Sequence, residues 1–164
     1  MSTGMYRSLV EQVAMGLRTL YKLDPQPPAT EASLQHLCQR TRDELSAELP
    51  DGYLDFLRIT DGLNWNGLFV YASDRNPAIN TPTIFMQSFV ENNLDWRSYE
   101  PHNNYLFYAE GDISLYGYNL VEKRYELQDR SSGDIISTFE TFDEMITEAL
   151  KISLHEDEEE EDEE

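Results

Sequence analysis

The chain has 164 residues, 40% hydrophobic and 12% aromatic, the composition of a folded globular chain and not of a disordered one. Its 32 acidic residues against 12 basic ones give a net charge of −20; Glu156 to Glu164 are all acidic, and the remainder still carries 23 acids against 12 bases, or −11. That field repels nucleic acid and anionic membranes and speeds encounter with a basic protein, although solubility alone is a sufficient reason for it.

The first predicted helix covers about residues 5–23, because Val10, Val13, Leu17, Leu20 and Tyr21 recur at helical spacing. Ser8 and Glu11 have the spacing of a capping box at its start. This segment has no continuous apolar run and no small-residue cleavage site, so it does not read as a signal peptide, and no window of the chain is apolar enough to span a bilayer. With a single cysteine, Cys38, an intrachain disulfide is excluded, and the features together predict a cytoplasmic protein.

Asp24 to Pro28, DPQPP, stops the first helix. Thr30 is a good N-cap for a second, with Leu34, Leu37, Cys38, Thr41 and Leu45 facing inward; Cys38 reads as a small buried hydrophobe. Pro50 and Asp51 suit the first turn of a third helix. Its inward stripe is Tyr53, Phe56, Leu57 and Thr60, and Asp61-Gly62 closes it. Asn64 to Gly67 reads as a turn into a strand, Leu68 to Tyr71. Residues 72–82 read as a polar loop, followed by a helix from Phe85 to Arg97 with Phe89, Val90 and Leu94 in the core.

From Tyr105 the period changes to two. Strands are predicted over residues 105–110, Ile113 to Leu120, Lys123 to Asp129 and Ile135 to Phe139, joined by turns at Gly111-Asp112 and Ser131-Ser132-Gly133. Thr141 to Glu144 is a second capping box, opening a helix whose inner face is Phe142, Met145, Ile146, Ala149 and Leu150. Beyond Leu154 like charges at i,i+4 predict a frayed, solvated end over 155–164. The fold class expected is α+β: N-terminal helices, an antiparallel meander with helices packed against it, and a closing C-terminal helix, in one domain over residues 1–154.

The run Leu49 to Tyr71, LPDGYLDFLRITDGLNWNGLFVY, joins Leu-Pro, an acid, an aromatic, Phe-Leu, a Gly-terminated helix, a turn and a strand ending in tyrosine. After it come a strand with Gly111-Asp112, a tyrosine-bearing strand with a basic hairpin, and STFETFDEMITEAL from Ser137 to Leu150. In this order the features resemble the SUKH superfamily, the Smi–Knr type, and within it the bacterial YrhA-like branch. The resemblance covers roughly Thr30 to Leu154. It implies an α+β binding protein. Many members of the superfamily are immunity proteins that neutralise, by direct contact, the cognate toxin of a contact-dependent or secreted polymorphic toxin system.

The residues give little support to an enzyme. His36, His102 and His155 have no nucleophile at a recognisable spacing, and no HExxH, CxxC, GxxxxGK[ST] or GxGxxG occurs. Asp43-Glu44 and Asp143-Glu144 are adjacent on helices and point about 100° apart, so they read as solvated faces and not as acid–base pairs. The acidic tail offers only weak, unselective cation sites. No cofactor, metal or catalytic residue is expected; a hydrolase would need a pKa-shifted group in a cleft. Ten tyrosines, five of them between Tyr105 and Tyr125, suit either cross-strand packing or an interface. Most special residues of Leu49 to Tyr71 have structural work to do. Asn64, Trp65 and Tyr71, at the junction of helix and sheet, are the candidate partner-binding residues, with core packing the competing reading for Trp65. The expected partner is a protein, a basic toxin domain under the resemblance; the alternative is a general protein- or small-ligand-binding module using the groove beside Trp65 and Tyr71.

Overall fold

An apolar stripe needs a partner surface, and three N-terminal helices share theirs. In the computed structural model, which describes residues 3–74, 77–78, 81–85, 87–100 and 102–162, these are α1 (Thr3–Leu20), α2 (Glu31–Leu45) and α3 (Asp51–Ile59). Thr30 caps α2 by accepting the Ser33 N–H at 3.0 Å. Leu34, Leu37, Thr41 and Leu45 are buried as expected, but Cys38 is only part-buried, with burial pushing its thiol pKa up. The stripe Tyr53, Phe56, Leu57 and Thr60 is buried throughout. The proline-rich linker is stitched to the end of α3: the Ala29 N–H donates to the Leu57 carbonyl and the Asp61 N–H to the Pro27 carbonyl.

Strands β1 (Leu63–Trp65), β2 (Leu68–Val70), β5 (Tyr105–Glu110), β6 (Ser114–Asn119), β7 (Arg124–Asp129) and β8 (Ile135–Phe139) form one antiparallel sheet in the order β1-β2-β5-β6-β7-β8. β3 (Pro77–Ala78) and β4 (Thr81–Phe85) pair with each other apart from it. Then come α4 (Phe89–Trp96), a single 3-10 turn at His102–Asn104 before β5, and α5 (Phe142–Asp162), which closes the chain. Residues opposite one another share a face. One face carries the rows Leu106, Tyr118, Tyr125, Phe139 and Ala109, Tyr116, Leu127, Ser137. α5 covers it, with the Phe142 ring 5.4 Å from Tyr108 and 5.5 Å from Tyr53. The buried apolar residues form one cluster running from Tyr6 in α1 to Leu150 in α5.

Several expectations are corrected. α1 starts near Thr3, so Ser8 and Glu11 lie inside it and cap nothing; the stripe extends back to Tyr6, fully buried with its hydroxyl donating to the Gly52 carbonyl at 3.0 Å. α1 ends at Leu20, and Leu20 and Tyr21 are exposed. Asn64 and Trp65 belong to strand β1 and not to a turn; the turn is Asn66-Gly67 alone, with φ of 49° and 84°, as a two-residue hairpin of primed type requires. The segment read as a polar loop contains β3 and the first residues of β4, because Pro is compatible with a two-stranded edge. The helix expected from Phe85 begins at Phe89, after Ser88 in extended conformation, and its inward position is Asn93 where Leu94 was expected. Beyond Leu154 the backbone stays helical to Asp162. Each added helical residue gains a hydrogen bond, whereas like-charge pairs cost only tenths of a kcal/mol. Among the described residues no helix is long and apolar enough to cross a membrane.

Candidate functional site

Alternation puts a different kind of residue on the second face of the sheet. One row there runs Asn64, Phe69, Glu110, Leu115, Gln128, Ile135, and another runs Phe107, Gly117, Glu126, Thr138, with Tyr105, Asn119 and Arg124 beyond. Glu110, Glu126, Gln128 and Asn119 are all buried. Buried carboxylates demand partners, and each has found a set.

Around Glu110, Tyr71 donates its hydroxyl to Oε2 at 2.9 Å, and the Trp96 indole N–H donates to the Tyr71 hydroxyl at 3.0 Å. Tyr71 is itself held by Tyr53, whose hydroxyl donates to the Tyr71 carbonyl at 2.6 Å. Arg130 comes within 4.0 Å of the same Glu110 oxygen, donates to the Gly111 carbonyl at 2.9 Å and lies over the Trp96 ring at 5.7 Å. His102 packs against Trp96 and Phe107 with ring centres 5.2 Å and 5.4 Å away, and its Nδ1 is buried without a partner. Burial pushes its pKa down. Burial, then the neighbouring Glu110, hold the Tyr71 phenol well above its ordinary pKa.

Around Glu126, Tyr105 donates at 2.6 Å, Asn119 at 3.1 Å and Arg124 at 2.8 Å. Burial pushes this carboxyl up, but the three donors outweigh it and leave its pKa below the ordinary value. The Tyr105 pKa is pushed up to about 12 by burial and by its bond to Glu126. The face thus presents an ionised carboxylate, protonated phenols and fixed amides. Such groups recognise by position.

Asn93 and Trp96 hold α4 against this layer. β2 ends before it reaches Phe107, and Asn93 takes over the pairing: it accepts from the Phe107 N–H at 2.7 Å and donates to the Phe107 carbonyl at 2.8 Å. That lodges α4 across the open part of β5 and sets Trp96 beside Tyr71.

Of the three residues singled out in the sequence, Asn64 is exposed on this second face. Tyr71 is fully buried, yet its hydroxyl ties into the Glu110 network. Trp65 points to the opposite face, 4% exposed, against α1, where a side-chain carbon at Gly16 would collide with its ring. The three therefore do not form one surface, and for Trp65 core packing prevails. Sequence reasoning missed Glu110, Glu126, Gln128 and Arg130. The available signal was an acid or amide at alternate positions inside the aromatic strands YLFYAE and RYELQD. Among the described residues no three of His, Cys, Asp or Glu gather as a metal cluster. No protein-family model matches the chain, and no curated protein matches it significantly.

Proposed function

We propose that this chain is a non-enzymatic binding protein of the immunity type, which neutralises a basic toxin domain by direct contact in the cytoplasm. The observation that carries the reading is the charge: −20 overall and −11 without the terminal acids, on a fold of N-terminal helices, antiparallel meander and closing helix of the kind the SUKH resemblance implies. An acidic surface steers association with a basic active site, such as that of a nuclease, and loses that advantage as salt rises. The buried carboxylates support binding over catalysis, since both are engaged by tyrosine and arginine side chains.

The test is co-expression with a secreted toxin domain encoded beside this chain. Protection of the cell, and a complex whose association rate falls steeply between low and physiological salt, are expected. No protection, or no complex even without added salt, sinks the reading. A small-ligand module is the second reading. It is favoured by His102, whose Nδ1 is buried without a partner beside Trp96 and Phe107 on the polar face.

A further inference from the structure

We propose that β8 is the docking edge of this protein, and that its occupant is an extended, basic segment of the partner, added as a seventh strand to the sheet. The inference rests on the binding reading above and names the surface that does the binding.

β8 ends the strand order, and among the described residues it pairs with β7 alone. Its outer side therefore offers backbone N–H and C=O groups to a further strand. Edge strands are ordinarily protected by lysine, proline, inward charge or a bulge; Ile135-Ile-Ser-Thr-Phe139 contains no lysine, proline or charge, and its one irregularity is confined to the isoleucine end. Ile135 and Ile136 are instead 46% and 58% exposed. A register shift between Leu127 and Gln128 leaves both isoleucines opposite Gln128, so they splay at one end of the strand while Ser137 to Phe139 keeps regular pairing. Ile113, 72% exposed, stands near this end, where its carbonyl accepts from the Arg130 N–H and the following Ser114 pairs with Asp129. An apolar patch beside a free edge, on a chain this charged, marks an interaction surface.

The charges decide the occupant. Asp134 immediately precedes β8 and Glu140 immediately follows it, with Glu144 reaching back to the Glu140 N–H. In an antiparallel pairing of two copies, Asp134 of each would face Glu140 of the other; a parallel pairing would set Asp134 against Asp134 and Glu140 against Glu140. Both arrangements oppose like charges at both ends, on chains of −20 each. A strand with basic residues at its ends meets an acid at each. The nearby cations do not reverse this: Arg124 is committed to Glu126, and Arg130 to the Gly111 carbonyl and Glu110, which leaves Lys123.

The probe is a blocked synthetic peptide, Lys-Val-Lys-Ile-Lys-Val-Lys, added to the isotope-labelled full chain and followed by NMR, beside a control peptide with glutamate for lysine. The largest amide shifts are expected in β8, with exchange of its edge amides slowed on the order of tenfold or more. The acidic peptide should have no effect, and sedimentation without peptide should show a monomer. The double variant I135K/I136K changes only exposed side chains and should keep the wild-type spectrum of the core while losing the peptide response. Equal binding of both peptides, largest shifts away from β8, an unchanged response in the double variant, or self-association through β8 each overturns the proposal. If the same double variant still protects cells from the toxin, the contact reading stands and only the assignment to β8 falls.

Discussion

The two faces of this sheet are made by the same strands and both pack rings, but only one adds a network of buried carboxylates. Toward α5 the contacts are rings: Phe142, Tyr108, Tyr53 and Tyr125 meet at centre distances of 5.0 to 6.4 Å, and no geometry beyond close packing is demanded of them. On the second face the rings of Trp96, His102, Phe107 and Tyr105 also pack, but hydrogen bonds with directions are added, from Tyr71 and Trp96 toward Glu110 and from Tyr105, Asn119 and Arg124 to Glu126. Apolar burial is non-directional and tolerates exchange of shape. A buried carboxylate network tolerates neither loss of a partner nor loss of charge. A face that carries such a network where leucines would have filled the space is the better candidate for function.

The neighbours Asn64 and Trp65 separate the two faces most sharply. Trp65→Ala empties a site on the α1 side and should cost about 3–5 kcal/mol, read as a fall in the urea midpoint. Asn64→Ala, on the other face and exposed, should stay within about 0.5 kcal/mol. Equal effects would mean that Trp65 is not packed as described.

Within the polar face, Glu126→Ala should cost about 2 kcal/mol, because Tyr105, Asn119 and Arg124 each lose their acceptor. Its folded pKa lies below the ordinary 4.5. The stability it contributes is therefore present above about pH 4.5 and is lost as the pH falls through the folded value. Urea melts at pH 6 and pH 3 should show wild type losing its advantage over Glu126→Gln on acidification. Tyr71→Phe keeps the ring and removes only the hydroxyl between Trp96 and Glu110; about 1 kcal/mol is expected. A loss as large as that of Trp65→Ala would place the hydroxyl at the centre of the fold.

The apolar face was legible in the sequence, and the polar face was not. Phe142, Met145, Ile146, Ala149 and Leu150 follow the helical period and are all buried where that period puts them. Tyr53, Phe56 and Leu57 do the same. Periodicity reports which side of an element is apolar, so it fails wherever a buried side is polar. Glu110 and Glu126 look like solvent-facing alternation in YLFYAE and RYELQD, although both are buried. Asn93 was passed over for Leu94 for the same reason: its burial comes from pairing with Phe107, a contact set by where β2 stops and not by residue type. Trp65 and Tyr71 stood out together because both are large and sit near turns. Only the register of β1 on β2 sends one to each side.

The smallest effect tests whether the aromatic wall of the polar face is built around a neutral histidine. His102 lies between Trp96 and Phe107 with Nδ1 buried and unpaired, and burial alone pushes its pKa below 6.5. The unfolded chain therefore binds a proton at a higher pH than the folded one. Stability from this site is complete above about pH 6.5 and declines as the pH falls from there toward the folded value. Between pH 7.5 and pH 5.5 wild type should lose a little stability that His102→Phe, which cannot titrate and still fills the space between the two rings, does not lose. Glu126 stays ionised across this window, so the difference between the two proteins isolates the histidine. If wild type and variant fall in parallel, the imidazole accepts its proton without disturbing the wall, and the charge it gains is met by a group on this face; the Glu110 carboxylate, across Trp96 and Tyr71, would be the first to replace by glutamine.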